Sequence, residues 1–122
     1  MLRVLGLTAM ALAALAAPAL GAELADGTYR CTLGINAHMG DMEISGNSFR
    51  GPAYDGDYGD AYPLEVTQAG TINWGGPLGG LSSGGNTVVA TVLRDAGGGR
   101  VGYDITIQLE SGNFSTVSCS PE

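Results

Sequence analysis

A histidine and two methionines, His38, Met39 and Met42, are the first side chains along the chain that could do chemistry together. Imidazole nitrogen and thioether sulfur both suit Cu(I), so this segment is a candidate copper site. On a regular strand His38 and Met42 point to one side and Met39 to the other, so only a loop could bring all three together. The alternative is a turn over residues 36–40 that carries a surface histidine, with Met42 in the core.

Three carboxylates lie close together at Asp55, Asp57 and Asp60. Oxygen-rich loops of this kind bind calcium, but the order of an EF-hand is broken because Gly59 stands where an Asp or Asn is required. The alternative interpretation is a solvated hairpin turn. If the protein were an enzyme, these carboxylates would be the first candidates for its acid and base.

Four aromatic residues before, within and after this acidic segment are candidates for binding a ligand: Tyr54, Tyr58, Tyr62 and Trp74. Aromatic faces beside carboxylates bind cationic ligands, and they also bind sugars. The same rings can instead pack over the end of a barrel, and the sequence favours packing.

Catalytic groups are scarce in the sequence. Residues 80–84 match the G-x-S-x-G pattern, but that pattern has meaning only on a strand–turn–helix elbow with a histidine and an acid behind it. His38 is the only histidine of the chain. The match is better explained as part of a glycine-rich loop over residues 75–85. We therefore predict a protein that is not an enzyme and that needs no cofactor.

The first 21 residues have the organisation of a secretory signal peptide. A positive start at Arg3 precedes an uncharged apolar run over residues 4–17, and Pro18 and small residues follow. The run is shorter than the roughly 20 apolar residues that span a membrane. We predict cleavage after Gly21, one domain over residues 22–122, and a periplasmic or secreted protein that has no membrane contact after cleavage.

The predicted mature chain is strongly acidic. It holds four arginines, no lysine and twelve Asp and Glu residues, which give a formal charge of −8. Such a field repels nucleic acid and anionic lipid, so neither is predicted as a partner. It attracts cationic surfaces, and an inhibitor of a cationic enzyme is therefore one of the alternatives for the function.

Cys31 and Cys119 are the two thiols of the chain. In an exported protein an even pair predicts a disulfide. Their spacing is too wide for a CxxC redox motif, and there is no second pair for a zinc site. The bond would join the first predicted strand to the last.

Alternation of apolar and polar residues recurs along residues 22–122, most clearly over residues 100–110, and turn residues separate the runs. Seven or eight short strands at intervals of about ten residues predict an all-β fold, an antiparallel meander that forms a small barrel or sandwich. Residues 87–93 are apolar or β-branched on both faces, which predicts a strand buried on both sides. Six residues are bulky enough to fill such a barrel: Tyr29, Met42, Phe49, Trp74, Tyr103 and Phe114.

Residues 27–31 (GTYRC), the meander and the terminal Cys119 resemble the small secreted calycin-type barrels, the group that includes lipocalins and avidin. The first strand lacks the Gly-x-Trp that lipocalins usually have, and no specific family is assigned. Export, β architecture and the scarcity of catalytic groups predict a monomeric binding domain that holds a small molecule or covers a partner protein. The inhibitor and the copper protein are the alternatives.

Overall fold

The computed structural model describes residues 23–54 and 56–122, and the predicted signal peptide with its cleavage site lies outside them. Eight β-strands and a 3₁₀ turn make up the described chain. The strands are β1 (Gly27–Leu33), β2 (Ala37–Ser45), β3 (Ser48–Ala53), β4 (Tyr62–Val66), β5 (Ile72–Trp74), β6 (Thr87–Gly97), β7 (Arg100–Gln108) and β8 (Phe114–Pro121), and the 3₁₀ turn covers Gly79–Ser82. The predicted all-β fold of seven or eight strands is confirmed.

The strands form one antiparallel sheet in the order β5-β4-β3-β2-β1-β8-β7-β6. Within the described residues the two edges of this sheet meet at one bridge, between Thr71 and Val92. Beside the bridge the Leu93 amide donates to the Gly70 carbonyl oxygen at 2.8 Å. The sheet is thus rolled into a nearly closed barrel, one of the two forms that the sequence predicts.

Because successive strands run in opposite directions, the connections lie at two ends of the barrel. The connections over residues 34–36, 54–61, 75–86 and 109–113 share one end, which we call the loop end. The connections that follow β2, β4 and β6 share the opposite end, which we call the mouth. The described chain also begins and ends at the mouth.

The predicted disulfide is present and joins the first strand to the last. Cys31 and Cys119 face each other across the antiparallel pair of β1 and β8, with sulfur atoms 2.08 Å apart. Both residues are fully buried. The bond therefore links the first and last strands, which are neighbours in the middle of the sheet, and it lies inside the core.

Side chains fill the interior of the barrel. The hydroxyl of the fully buried Tyr103 donates to the Met42 sulfur at 3.3 Å, and its ring centroid lies 5.3 Å from that of Tyr29. The alternation predicted over residues 100–110 is confirmed, since Tyr103, Ile105 and Ile107 all point into the interior. The buried hydrophobic residues of the five central strands are Tyr29, Cys31, Met42, Ile44, Phe49, Tyr103, Ile105, Ile107, Val117 and Cys119.

Two predictions about burial are wrong. Phe114 is 63% exposed, because it pairs with Gln108 on the outer face of the sheet instead of filling the interior. Strand β6 is not buried on both sides, since Val89 is 52% and Val92 45% exposed. A bulge between Val88 and Ala90 breaks the alternation in β6, and the strand lies at an edge of the sheet.

A guanidinium group ties three strands together on the outer face. Arg94 of β6 donates to the Asp104 carboxylate of β7 at 2.8 Å and to the Ser120 hydroxyl of β8 at 2.9 Å. The Arg94 side chain reaches β8 by passing over Gly102, where a Cβ atom would lie 3.1 Å from Nη2 and against the Cys119 carbonyl oxygen. The missing side chain at Gly102 is therefore what lets this arginine span β7.

Buried tyrosines should make the protein sensitive to alkali. Burial raises the pKa of Tyr103 and of Tyr29 above the ordinary value of 10.0. The unfolded chain then loses these protons before the folded chain does, so stability is complete below pH 10 and falls as the pH rises further. We expect a loss of up to about 1.4 kcal/mol per pH unit for each tyrosine.

Urea unfolding at a series of pH values from about 8 to about 11 measures this loss. Tyr103→Phe should make the alkaline fall in unfolding free energy shallower than in the parent protein. Tyr54→Phe is the matched control, because Tyr54 is 69% exposed. If the Tyr103→Phe profile has the same slope as the parent profile, Tyr103 is not a source of the alkaline sensitivity.

Candidate functional site

The loop end of the barrel is closed by the segment over residues 75–86. Leu78 and Leu81 are 1% and 2% exposed and pack into the core from this segment. The Leu78 amide donates to the Ser82 hydroxyl oxygen at 2.8 Å, and that hydroxyl contacts the Gly79 carbonyl oxygen at 3.4 Å. The serine of the G-x-S-x-G match therefore holds a 3₁₀ turn in place, and its loop forms a plug.

The mouth, by contrast, holds a depression of about 800 Å³. Its apolar lining comes from Leu24, Leu64, Val66 and Leu93. Leu64 is 6% exposed and lies deepest, whereas Val66 is 38% exposed at the end of β4. Small-molecule sites are typically concave, about 300–1,000 Å³ in volume and mostly apolar, and they often lie in the mouths of β-barrels. The depression has these properties.

The rim of the mouth is fixed by hydrogen bonds within its turns. The hydroxyl groups of Thr67 and Thr71 lie 2.7 Å apart, and the Thr67 amide donates to the Thr71 carbonyl oxygen at 2.9 Å. Gly70, between them, has a φ of +81°, which favours glycine at that point of the turn. Across the mouth, the Gly46 amide donates to the Asp26 carboxylate at 2.8 Å. Both sides of the depression are thus held in place by hydrogen bonds of backbone and side-chain groups.

Polar groups form a substantial part of this lining. Asn47, Thr67 and Gln68 contribute amide and hydroxyl groups, and Glu23 contributes a carboxylate. A site of this composition can exclude water from an apolar molecule and orient a polar group of that molecule at the rim.

A second groove, of about 450 Å³, follows the seam where β5 and β6 fail to pair along their length. Trp74 of β5 crosses the seam and donates from Nε1 to the Thr91 hydroxyl oxygen at 2.6 Å. Thr91 is 2% exposed, so this bond also satisfies a buried hydroxyl. The groove lies between the bridge at Thr71 and the plug at the loop end, with Val88 and Val89 on the β6 side.

The four aromatic residues predicted as ligand contacts do not form one site. The Trp74 and Tyr62 rings lie 4.8 and 5.9 Å from the Phe49 ring, so both belong to the packing around Phe49. Tyr54 is 69% exposed, and its ring lies 5.6 Å from the His38 ring. Tyr58 and Tyr62 line a common depression of about 200 Å³, whereas Trp74 lines the groove at the seam.

The ring of Tyr58 lies outside the barrel. Its Cδ1 atom is close to Gly51, where a Cβ atom would lie 3.1 Å away. Burial and then the carboxylates of Asp41 and Glu43 raise the pKa of Tyr58. The loop over residues 54–61 therefore lies against the outer face of β2 and β3, near acidic side chains.

The structure separates the donors of the predicted copper site. A bulge in β2 opposite Cys31 interrupts the alternation, and it turns His38 to the side of Asp41, whose carboxylate lies 2.9 Å from His38 Nε2. Met42 is fully buried and accepts the Tyr103 hydroxyl, while Met39 packs against the edge of the core. The imidazole and the Met42 sulfur thus lie on opposite sides of the strand.

The predicted calcium loop is described only in part, because Asp55 lies outside the described residues. Asp57 and Asp60 are exposed in the loop between β3 and β4. Within residues 23–54 and 56–122, no group of three or more His, Cys, Asp or Glu side chains could hold a metal ion. That part of the chain also has no helix long and apolar enough to cross a membrane.

The mouth was missed by the sequence analysis because its lining comes from distant segments. Leu24, Leu64 and Leu93 are far apart in sequence, and only closure of the barrel brings them together. Val66 was the one indication of the mouth in the sequence. It is an apolar residue two positions after the buried Leu64, at the last position of β4. Comparison with protein-family models, curated proteins and solved structures found no match for this chain.

Proposed function

We propose that this protein is an exported, non-enzymatic binding domain that holds a small, largely apolar molecule in the mouth of the barrel. The observation that carries the proposal is the difference between the two ends. Leu78 and Leu81 plug the loop end, while the mouth keeps an apolar depression of about 800 Å³. Because side chains fill the interior, the mouth is the part of the barrel where an apolar ligand can be shielded from water.

Export is supported by the signal-like first 21 residues and by the buried disulfide. Disulfides persist in oxidising compartments, and the periplasm or the extracellular medium is therefore the proposed location. The protein would act there as a monomer, since the mouth is complete within one chain.

The chemistry of the ligand follows from the lining. Leucine and valine side chains supply dispersion contacts and exclude water, which favours hydrocarbon or aromatic groups. The one carboxylate of the lining, at Glu23, and the net charge of −7 disfavour anionic molecules. A neutral or cationic amphiphile fits both requirements.

The uncharged fluorescent probe N-phenyl-1-naphthylamine tests the proposal. We expect its emission to rise and saturate on addition of the purified protein, as the probe leaves water for the mouth. Val66→Trp places a bulky ring over the depression and should weaken binding by about ten-fold or more. Val89→Trp is the matched control, because Val89 is a similarly exposed valine that lines the seam groove instead.

Both variants are first checked by thermal unfolding, so that only folded proteins are compared. Equal affinity of the two variants for the probe would show that the probe does not bind at the mouth. No saturable change with the parent protein would end the proposal of an apolar ligand.

A further inference from the structure

The strand β6 has an open edge. Over its eleven residues it pairs with β7 on one side. On its other side the described chain offers only the three-residue β5 and the bridge between Thr71 and Val92. After Trp74 the chain turns back toward β4, where the Gly75 amide donates to the Pro63 carbonyl oxygen at 2.7 Å. On the side away from β7, residues 87–90 therefore have no described strand beside them.

This open edge has a bulge between Val88 and Ala90, which is one feature that protects edge strands, but it lacks the charged residues and prolines that also do so. Natural edges are guarded by lysine, proline or inward-pointing charge, which prevent another strand from pairing. Residues 87–93 (TVVATVL) contain no charged residue, no proline and no glycine. The first charged side chain of β6 is Arg94, beyond the bridge. Val89 is 52% exposed at the open part, next to a groove of about 450 Å³.

The groove is suited to an extended chain. It is bordered on one side by Val88, Val89 and Ala90 and on the other by Asn73, Trp74 and Leu78. An added strand would bond to the free edge of β6 and place alternate side chains against the apolar wall. Such binding gives affinity through the main chain and selectivity through the side chains.

The charges around the groove define the partner. Glu65 accepts a bond from Asn73 Nδ2 at 3.1 Å on the β5 side, and the Glu110 side chain lies against Gly85 just before β6. The arginines recorded in ion pairs are elsewhere, with Arg50 on Glu43 and Arg94 on Asp104. A second copy of this acidic chain would be repelled, whereas a basic segment would be attracted.

We propose that the open edge of β6 binds an extended, basic segment of a partner protein by strand addition. This site is separate from the mouth and does not depend on a ligand there. The added strand would lie along residues 87–90 of β6, beyond the point where Trp74 bonds to Thr91 across the seam.

Three heptapeptides, acetylated and amidated, test this proposal. The first alternates lysine with valine, the second has glutamate in place of lysine, and the third is the lysine peptide with N-methyl groups on alternate valines. Binding is followed by the amide signals of residues 87–90 in NMR titrations. We expect saturable shifts with the lysine peptide alone, because the glutamate peptide is repelled and the methylated peptide lacks the N–H donors.

Two protein variants locate the binding site. Val89→Lys puts a charge at the open edge and should weaken binding of the lysine peptide by about ten-fold or more. Val92→Lys makes the same change on the same strand, at a valine that is 45% exposed beside the existing bridge, and should stay within about two-fold of the parent. Val89→Lys should keep the affinity of the parent protein for N-phenyl-1-naphthylamine, because Val89 does not line the mouth, and this separates the present test from that of the mouth.

Several outcomes would overturn the proposal. Equal binding of the methylated and unmethylated lysine peptides would show that the main chain of the peptide is not used. Equal weakening by the two lysine variants would place the peptide elsewhere. Dimers of the parent protein in sedimentation experiments, absent for Val89→Lys, would identify a second copy as the occupant of the edge.

Discussion

Replacing Cys31 and Cys119 together with serine is expected to lower the free energy of unfolding by about 4–5 kcal/mol. The bond closes a loop between residues that are 88 positions apart, and a closed loop of that length restricts the unfolded chain strongly. Because a domain of this size is typically stable by only about 5–15 kcal/mol, this loss is a large fraction of the total. The two buried serine hydroxyls add a further cost.

Guanidinium unfolding of the parent and of the double serine variant measures this loss. Thr32→Ala with Ser118→Ala is the matched control, since these two residues face each other across the same strand pair, one position from the disulfide. That control should change stability by less than about 1 kcal/mol. A double serine variant as stable as the control would mean that strand pairing alone holds the ends of the chain.

Replacing Phe49 with alanine is expected to destabilise the barrel by about 3–5 kcal/mol. Phe49 is 1% exposed, and its ring meets Trp74 edge-on at 4.8 Å and Tyr62 at 5.9 Å. Removal of the ring therefore leaves a cavity between β3, β4 and β5 and takes away both aromatic contacts. These strands lie next to the seam, where a single bridge joins the edges of the sheet, so few backbone hydrogen bonds hold this region when the aromatic contacts are lost.

The chain has two phenylalanines, and the second provides the control. Phe114 is 63% exposed, so Phe114→Ala should stay within about 0.5 kcal/mol of the parent when the parent and both variants are unfolded with urea. The fluorescence of Trp74, the only tryptophan of the chain, reports the unfolding of the region around Phe49. Similar losses for the two variants would contradict the packing described for Phe49.

Much of the fold could be predicted because strands have a period of two. The alternation around Tyr103 identifies β7 and its inward face, and the parity of Cys31 and Cys119 identifies a buried disulfide. The same parity also excludes Phe114 from the interior, since it shares the register of Thr116 and Ser118. For Phe114, the position along the strand predicts the exposed side chain correctly, whereas the size of the side chain does not.

The remaining errors come from features that alternation does not encode. The bulges in β2 and β6 insert a residue and exchange the two faces, which is why His38 pairs with Asp41 and why Val89 is exposed. The sequence indicates the plug only weakly. Leu78 and Leu81 have the three-residue spacing of side chains on one face of a helical turn. The mouth depends on closure, which is a property of the whole sheet.

The pairing of β1 with β8 has a consequence for how the chain could be connected. Glu23 and Glu122 line the same depression, and the Glu122 amide donates to the Thr28 carbonyl oxygen at 3.0 Å, so the two ends of the described chain are neighbours. A short linker between them would make the polypeptide circular without moving a strand. If that circle were cut in the loop at residues 84 and 85, the strand order in the sheet would equal the order in sequence. The ends of the described chain thus lie at the disulfide-linked junction of β1 and β8, whereas the junction with a single bridge, between β5 and β6, lies in the middle of the sequence.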